Sequence, residues 1–186
     1  YISNLVIQRS KEFSEIWQTF NSRSKQAAYR LDQSVNTHPI VQDIRTTEEA
    51  GAHFDSITYG KGASVLRQLS YFIGEKAFKR ALQKYFKRHE HGNTRLLDFM
   101  NVMEESSKKD LSQWKKRWLE TSMVNQLEPY FRCKKGRISH FELIQTGSQE
   151  HPTLRTHRTQ LGLYRRSGGG LKLNRSLAVT SVQGWA

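Results

Sequence analysis

From Ser10 onward, Phe13, Ile16, Trp17, Phe20 and Leu31 recur close to a helical period, which predicts a first helix over about 11–31 with Ser10 as its N-cap. The next 23 residues, SVNTHPIVQDIRTTEEAGAHFDS, sustain no period and are rich in small polar residues, so they read as a loop. A loop of that length inside a compact domain usually has a functional reason. Val65, Leu66, Leu69, Phe72 and Ile73 then make an apolar helical stripe that stops at Gly74, a suitable residue just past a helix C-terminus. Three further helices follow. EKAFKRALQKYFKRH carries Phe78, Leu82, Tyr85 and Phe86; NTRLLDFMNVMEESS starts from an Asn/Thr cap; DLSQWKKRWLET begins at Asp110 and buries Leu111, Trp114, Trp118 and Leu119. Their short connections imply antiparallel neighbours in a helical array.

The pattern changes near Gln126. PYFRCK, RISHFELIQT, LGLYRR and LKLNRSLAVTSV alternate with a period of two and are separated by KKG, TGSQEHP and SGGG, so they read as strands and turns. The expected fold is therefore mainly α over residues 1–125, followed by a partial β domain over 126–186 whose pattern runs into SVQGWA. Four or five short strands are few for an independent sandwich, and the β domain is read as truncated.

Charge sharpens this division. The formal net charge is +13, with 20 basic and 14 acidic residues up to Gln126 and 10 against 3 beyond it. The last third is thus the more basic part, for which a solvated face is a sufficient reading. Aromatic residues make up 11% of the chain and hydrophobic residues 36%, enough to build a core. The single cysteine, Cys133, permits no internal disulfide and fits a reducing, cytoplasmic compartment. No run of 18 apolar residues exists to form a membrane-spanning helix. The first residue is Tyr1, with no basic and apolar leader, as expected of a piece of a longer protein.

Most familiar catalytic patterns are missing. In HEH, His89 and His91 lie two apart and do not share a helical face, and the H-E-x-x-H spacing is absent. The remaining histidines have no ligand spacing. No G-x-S-x-G elbow is present, and SGGG lacks the Lys-Ser/Thr of a phosphate loop. KKRW and YRR place cations beside aromatics, but Trp118 belongs to a helical stripe, so no nucleic-acid partner is expected.

One stretch stands apart. ITYGKGASVLRQL opens a helix with Gly60 and Gly62, each costing roughly 1 kcal/mol relative to alanine. Tyr59, immediately before them, has two readings. It is either a packed ring with a satisfied hydroxyl, or a phenol that donates to an oxyanion, with the glycines leaving room for substrate and for close backbone approach.

This stretch resembles the catalytic-tyrosine segment of the zinc aminopeptidases of the aminopeptidase N and leukotriene hydrolase family. Ile57, Tyr59, Lys61, Gly62, Ala63, Val65, Leu66 and Leu69 match that segment, and THPI at 37–40 resembles the family's His-Pro-Ile. The helical run from Ile73 to Ser122 resembles the family's helices downstream of the tyrosine. The resemblance covers about residues 10–125 and implies the C-terminal helical half of a thermolysin-like catalytic domain. It implies peptide substrates, hydrolysis of the N-terminal peptide bond by a zinc-activated water, a glutamate general base, and Tyr59 as donor to the tetrahedral intermediate.

In that family the zinc ligands and the general base lie upstream of His-Pro-Ile, and family spacing places the last ligand just before Tyr1. These 186 residues are therefore expected to bind no zinc and to be inactive alone, with zinc belonging to the full-length protein. Lys61 is read as a solvated first-turn residue, His38 as ordering its loop, and Arg67 as a partner for a carboxylate. A non-enzymatic relative that kept the helical array as a binding module is the alternative. Side-chain preference and oligomeric state are not encoded in these residues.

Overall fold

The computed structural model describes residues 1–10, 13 and 15–180. Among them, eight α-helices precede two separate antiparallel hairpins: α1 (Ile2–Ser10), α2 (Ile16–Phe20), α3 (Gln26–Asp32), α4 (Thr47–Ala52), α5 (Gly62–Ile73), α6 (Glu75–Arg88), α7 (Leu96–Ser107) and α8 (Ser112–Leu119), then β1 (Gln126–Lys134), β2 (Arg137–Thr146), β3 (Arg158–Ser167) and β4 (Gly170–Thr180). The molecule is thus mixed α and β, with its two classes of structure in succession.

The core lies among α5 to α8. Val65, Leu69 and Ile73 of α5 meet Ala77, Phe78 and Ala81 of α6, Met100, Val102 and Met103 of α7, and Leu111, Trp114 and Leu119 around α8. Gly74 joins α5 to α6 at φ 93°, a backbone region in which a side chain would be strained, so one glycine turns the chain between two helices. Phe86, expected in the stripe of α6, is instead 65% exposed. The apolar stripe of α6 is wider than the face it buries, and Phe86 lies beyond that face.

The N-terminal helix differs from its expected form. Ser10 does not cap a helix over 11–31; its hydroxyl donates to the Ile7 carbonyl (2.7 Å) at the end of α1. Lys11, Glu12 and Ser14 of the predicted helix lie outside the described residues, and the helix proper runs from Ile16 to Asp32. It is interrupted by a π-helical turn at Asn21–Lys25. Asn93 and Thr94 do not cap α7 either; the Asp98 carboxylate accepts the Arg95 backbone N–H (2.8 Å). In α8 the Asp110 carboxylate accepts the Ser112 N–H (2.8 Å), and the helix begins two residues later than expected.

The long loop holds one helix of its own, α4, started by a capping box in which Thr46 accepts the Glu49 N–H and Glu49 accepts the Thr46 N–H. Beyond α8 the strands fall where the alternation predicts, from Gln126 onward, and residues 181–186 of the last predicted segment lie outside the described residues. Lys135 and Gly136 turn the first hairpin and Gly168 and Gly169 the second, all at positive φ. Among the described residues the strands form two two-stranded sheets, with Phe131, Ile138, Tyr164, Leu171 and Leu173 more than half exposed.

Candidate functional site

Tyr59 sits in a second π-helical turn, Ile57–Lys61, that runs without a break into α5. A π turn holds one residue more than an α turn, makes poorer contacts along the helix and is found disproportionately at functional sites. Such a turn needs support from outside itself, and here it has support on both flanks.

The N-terminal flank is held by Asp55. One carboxylate oxygen accepts the Thr58 N–H (2.9 Å) and so caps the turn, and the other meets His38 Nε2 (2.6 Å). The His38 Nδ1 is 2.8 Å from the Pro39 carbonyl oxygen. His38 therefore ties the THPI segment to the start of the tyrosine turn, which is the loop-ordering role expected of it. Burial alone raises the Asp55 carboxyl, but the Thr58 N–H and His38 outweigh it and leave the group below its ordinary range.

The C-terminal flank is held by Gly60 and Lys61. A Cβ on Gly60 would stand 2.6 Å from the Ser24 carbonyl oxygen and 3.0 Å from the Ala28 Cβ, so the glycine lets this turn lie directly on the first π turn and α3. The close approach that Gly60 permits here is to a neighbouring helix, and Gly60 also lines the groove that Tyr59 borders. Gly62 has no such constraint, its nearest neighbour being the Ile57 carbonyl oxygen at 3.9 Å.

Lys61 is not solvated. Its side chain is 10% exposed, and Nζ pairs with Asp32 at 2.8 Å and contacts the Met123 carbonyl at 3.4 Å. Burial lowers the Lys61 ammonium from its ordinary value against the opposing pull of Asp32. Asp32, 2% exposed at the end of α3, also accepts from the Thr37 hydroxyl (2.8 Å) and the Met123 N–H (3.0 Å). Arg155, 3% exposed, closes the same region by donating to the carbonyls of Arg117, Thr121 and Ser122. A cavity of about 190 Å³ lies between Asp32, Lys61, Arg155, Trp118 and His157. Neither Asp32 nor Arg155 stands out in the sequence, because the partners that define them, Lys61 for one and the end of α8 for the other, are far away along the chain.

Arg67, expected to pair with a carboxylate, instead lies over the Trp17 ring, its guanidinium carbon 4.1 Å from the ring centroid. Trp118 packs near Trp114 and edge-on to His157, and its indole donates to the Thr156 carbonyl (3.2 Å). Burial, with Arg155 adding to it, lowers the His157 imidazole from 6.5 to about 4. The folded state thus disfavours the proton, so this contribution to stability is full above pH 6.5 and is lost as pH falls towards 4. His157→Asn should flatten the fall in urea midpoint of the chain between pH 7 and pH 4.5; an equal fall in both proteins overturns the assignment.

The Tyr59 ring is 60% exposed, with the Phe54 ring 5.9 Å away. Among the described residues its hydroxyl makes no hydrogen bond. The phenol borders a groove shared with Tyr1, Asn4, Thr19, Phe20 and Arg23. Among the described residues no three His, Cys, Asp or Glu side chains gather closely enough to hold a metal, so the donor set in hand does not fit zinc. His91 is exposed beside Glu90, and His89 packs against Tyr85.

Comparison with known proteins fits this geometry. The peptidase family M1 domain matches residues 1–118. Aminopeptidase N of Streptomyces lividans is 45% identical over 161 residues, covering 83% of this chain and 19% of that protein. Tricorn protease-interacting factor F2 of Thermoplasma volcanium is 36% identical over 110 residues, 58% of this chain and 14% of that protein. The chain thus spans less than a fifth of the length of these relatives. In structure, Legionella pneumophila aminopeptidase A, solved in complex with aspartic acid, superposes with a TM-score of 0.60 over 84% of this chain and 18% of its own, at 22% identity, a likeness of fold.

Proposed function

The chain belongs to peptidase family M1, and on that premise we propose that it forms part of a zinc aminopeptidase that removes N-terminal residues from peptides, with Tyr59 as the donor to the transition-state oxyanion. The observation that carries this reading is the Tyr59 phenol, exposed and without a hydrogen-bond partner among the described residues, on a turn clamped from both sides. A donor carried on a backbone that is already braced stabilises developing charge with less reorganisation.

The catalytic group proposed for this chain is that donor. Among the described residues no three His, Cys, Asp or Glu side chains gather to hold a metal, and no step is assigned to them through zinc. The zinc ligands and the general base of this reading are those the family resemblance implies, and they are not among the residues assigned a role here. Residues 1–125 are assigned to the helical half of a thermolysin-like catalytic domain and residues 126–186 to part of a β domain. A cytoplasmic location accompanies this reading and rests on the lone cysteine, Cys133.

Zinc analysis and aminoacyl-anilide hydrolysis test the division of labour. The protein carrying H-E-x-x-H together with this segment should bind one zinc and turn over. The 186 residues alone should do neither, and stoichiometric zinc with turnover from them would overturn the reading. The absence of H-E-x-x-H from the coding sequence upstream would favour a binding module instead.

A further inference from the structure

The buried ion pair next to the candidate tyrosine is more elaborate than local stability requires. Asp32 receives Lys61 Nζ at 2.8 and 2.9 Å on its two oxygens, the Thr37 hydroxyl at 2.8 Å and the Met123 N–H at 3.0 Å. Lys61 in turn reaches the Met123 carbonyl. Three separate stretches of chain, the end of α3, the π turn of Tyr59 and the junction after α8, therefore meet on a single carboxylate. Removing both charges of a buried pair together is often neutral for stability, whereas removing one leaves the other uncompensated. Stability alone gives weak grounds for keeping the pair.

The position of Lys61 suggests other grounds. It is the last residue of the π turn, two residues from Tyr59, and the only one of the turn's five whose side chain is ion-paired among the described residues. A π turn competes with the α form, which would rotate the residues on one side of it relative to the other by about 100°. Gly60 sets the distance of the turn from α3 by close packing alone, and Asp55 holds its N-terminal end. Lys61 holds the other end.

We propose that the Asp32–Lys61 pair positions Tyr59, holding its turn in the π register so that the phenol points into the groove. Lys61 and Asp32 touch no reacting atom and act through Tyr59. The inference rests on the reading of Tyr59 as the transition-state donor.

The test uses the complete zinc-loaded enzyme and a double substitution, Asp32→Asn with Lys61→Met, which removes both charges at similar volume. The expected result is a kcat reduced about 10-fold, with KM, zinc content and unfolding midpoint close to the parent, since small misplacements of catalytic groups are costly. Lys61→Arg should retain most of the rate. In the Tyr59→Phe background the same double substitution should lower kcat no further. Equal losses in the two backgrounds would overturn the proposal, as would an undiminished kcat. If the double variant does not fold, Thr37→Val serves in its place: it removes one hydrogen bond from Asp32, should cost a few-fold in kcat, and should be silent in the Tyr59→Phe background. A severe Tyr59→Phe with a silent pair sinks the positioning role alone; an unchanged Tyr59→Phe sinks the tyrosine assignment and this inference with it.

Discussion

Tyr59→Phe in the complete enzyme should lower kcat by roughly 100 to 1,000-fold, the usual cost of removing one oxyanion donor. It should do so with zinc retained and with little change in KM, because the donor acts on charge that develops only in the transition state. The structure adds a condition that makes the measurement clean. Among the described residues the hydroxyl makes no hydrogen bond and the ring's aromatic neighbour is Phe54, so the substitution removes no hydrogen bond within this chain. The free energy of unfolding should therefore change by no more than an exposed substitution usually allows, about 0.5 kcal/mol. Unchanged turnover would end the assignment, and a large loss of stability would show that the hydroxyl has a structural role instead.

The second large effect separates the two glycines of YGKG. Alanine at either position gains up to roughly 1 kcal/mol from helix propensity. At Gly60 that gain is opposed by a Cβ only 2.6 Å from the Ser24 carbonyl oxygen, a backbone atom that cannot move without its helix. Overpacking of this kind costs about 1–3 kcal/mol or more, so Gly60→Ala should lower the unfolding midpoint of the chain and, by lifting the turn off α3, reduce kcat in the complete enzyme. At Gly62 nothing approaches closer than 3.9 Å, and Gly62→Ala should raise the midpoint by an amount near the propensity gain. Shifts of the same sign in the two variants would refute the distinction. Both glycines look alike in the sequence; only the neighbouring helix separates them.

That contrast indicates what could be read from the residues and what could not. The stripes of α5 to α8 set the core, since Leu69, Phe78, Met103 and Trp114 recur at helical spacing and are buried together. The turns at Lys135–Gly136 and Gly168–Gly169 were legible from their residue types. The capping box at Thr46 and Glu49 was also legible, as a threonine followed by a glutamate three residues on, but loop composition concealed it. Burial of charge was not legible. Lys61 reads as an ordinary surface lysine until Asp32, 29 residues earlier, is brought against it by the fold. The π turns were not legible either: Ile57–Lys61 has an apolar helical stripe on one side only, and between Phe20 and Leu31 the stripe has no member to show the phase shift made by Asn21–Lys25. Tyr59 itself was identified through its resemblance to a known segment. The geometry supplies its exposure and its clamps.

The two π turns lie against each other, Gly60 of one upon Ser24 of the other. Each holds a residue that a regular helix would omit, and each such residue turns the adjoining helix by about 100°. Excising one residue from either turn would leave every other side chain chemically intact and yet present a different face to the groove. Here length can therefore change what identity preserves, and this surface would be altered most by a single-codon deletion that removes neither Tyr59 nor any residue bonded to its turn.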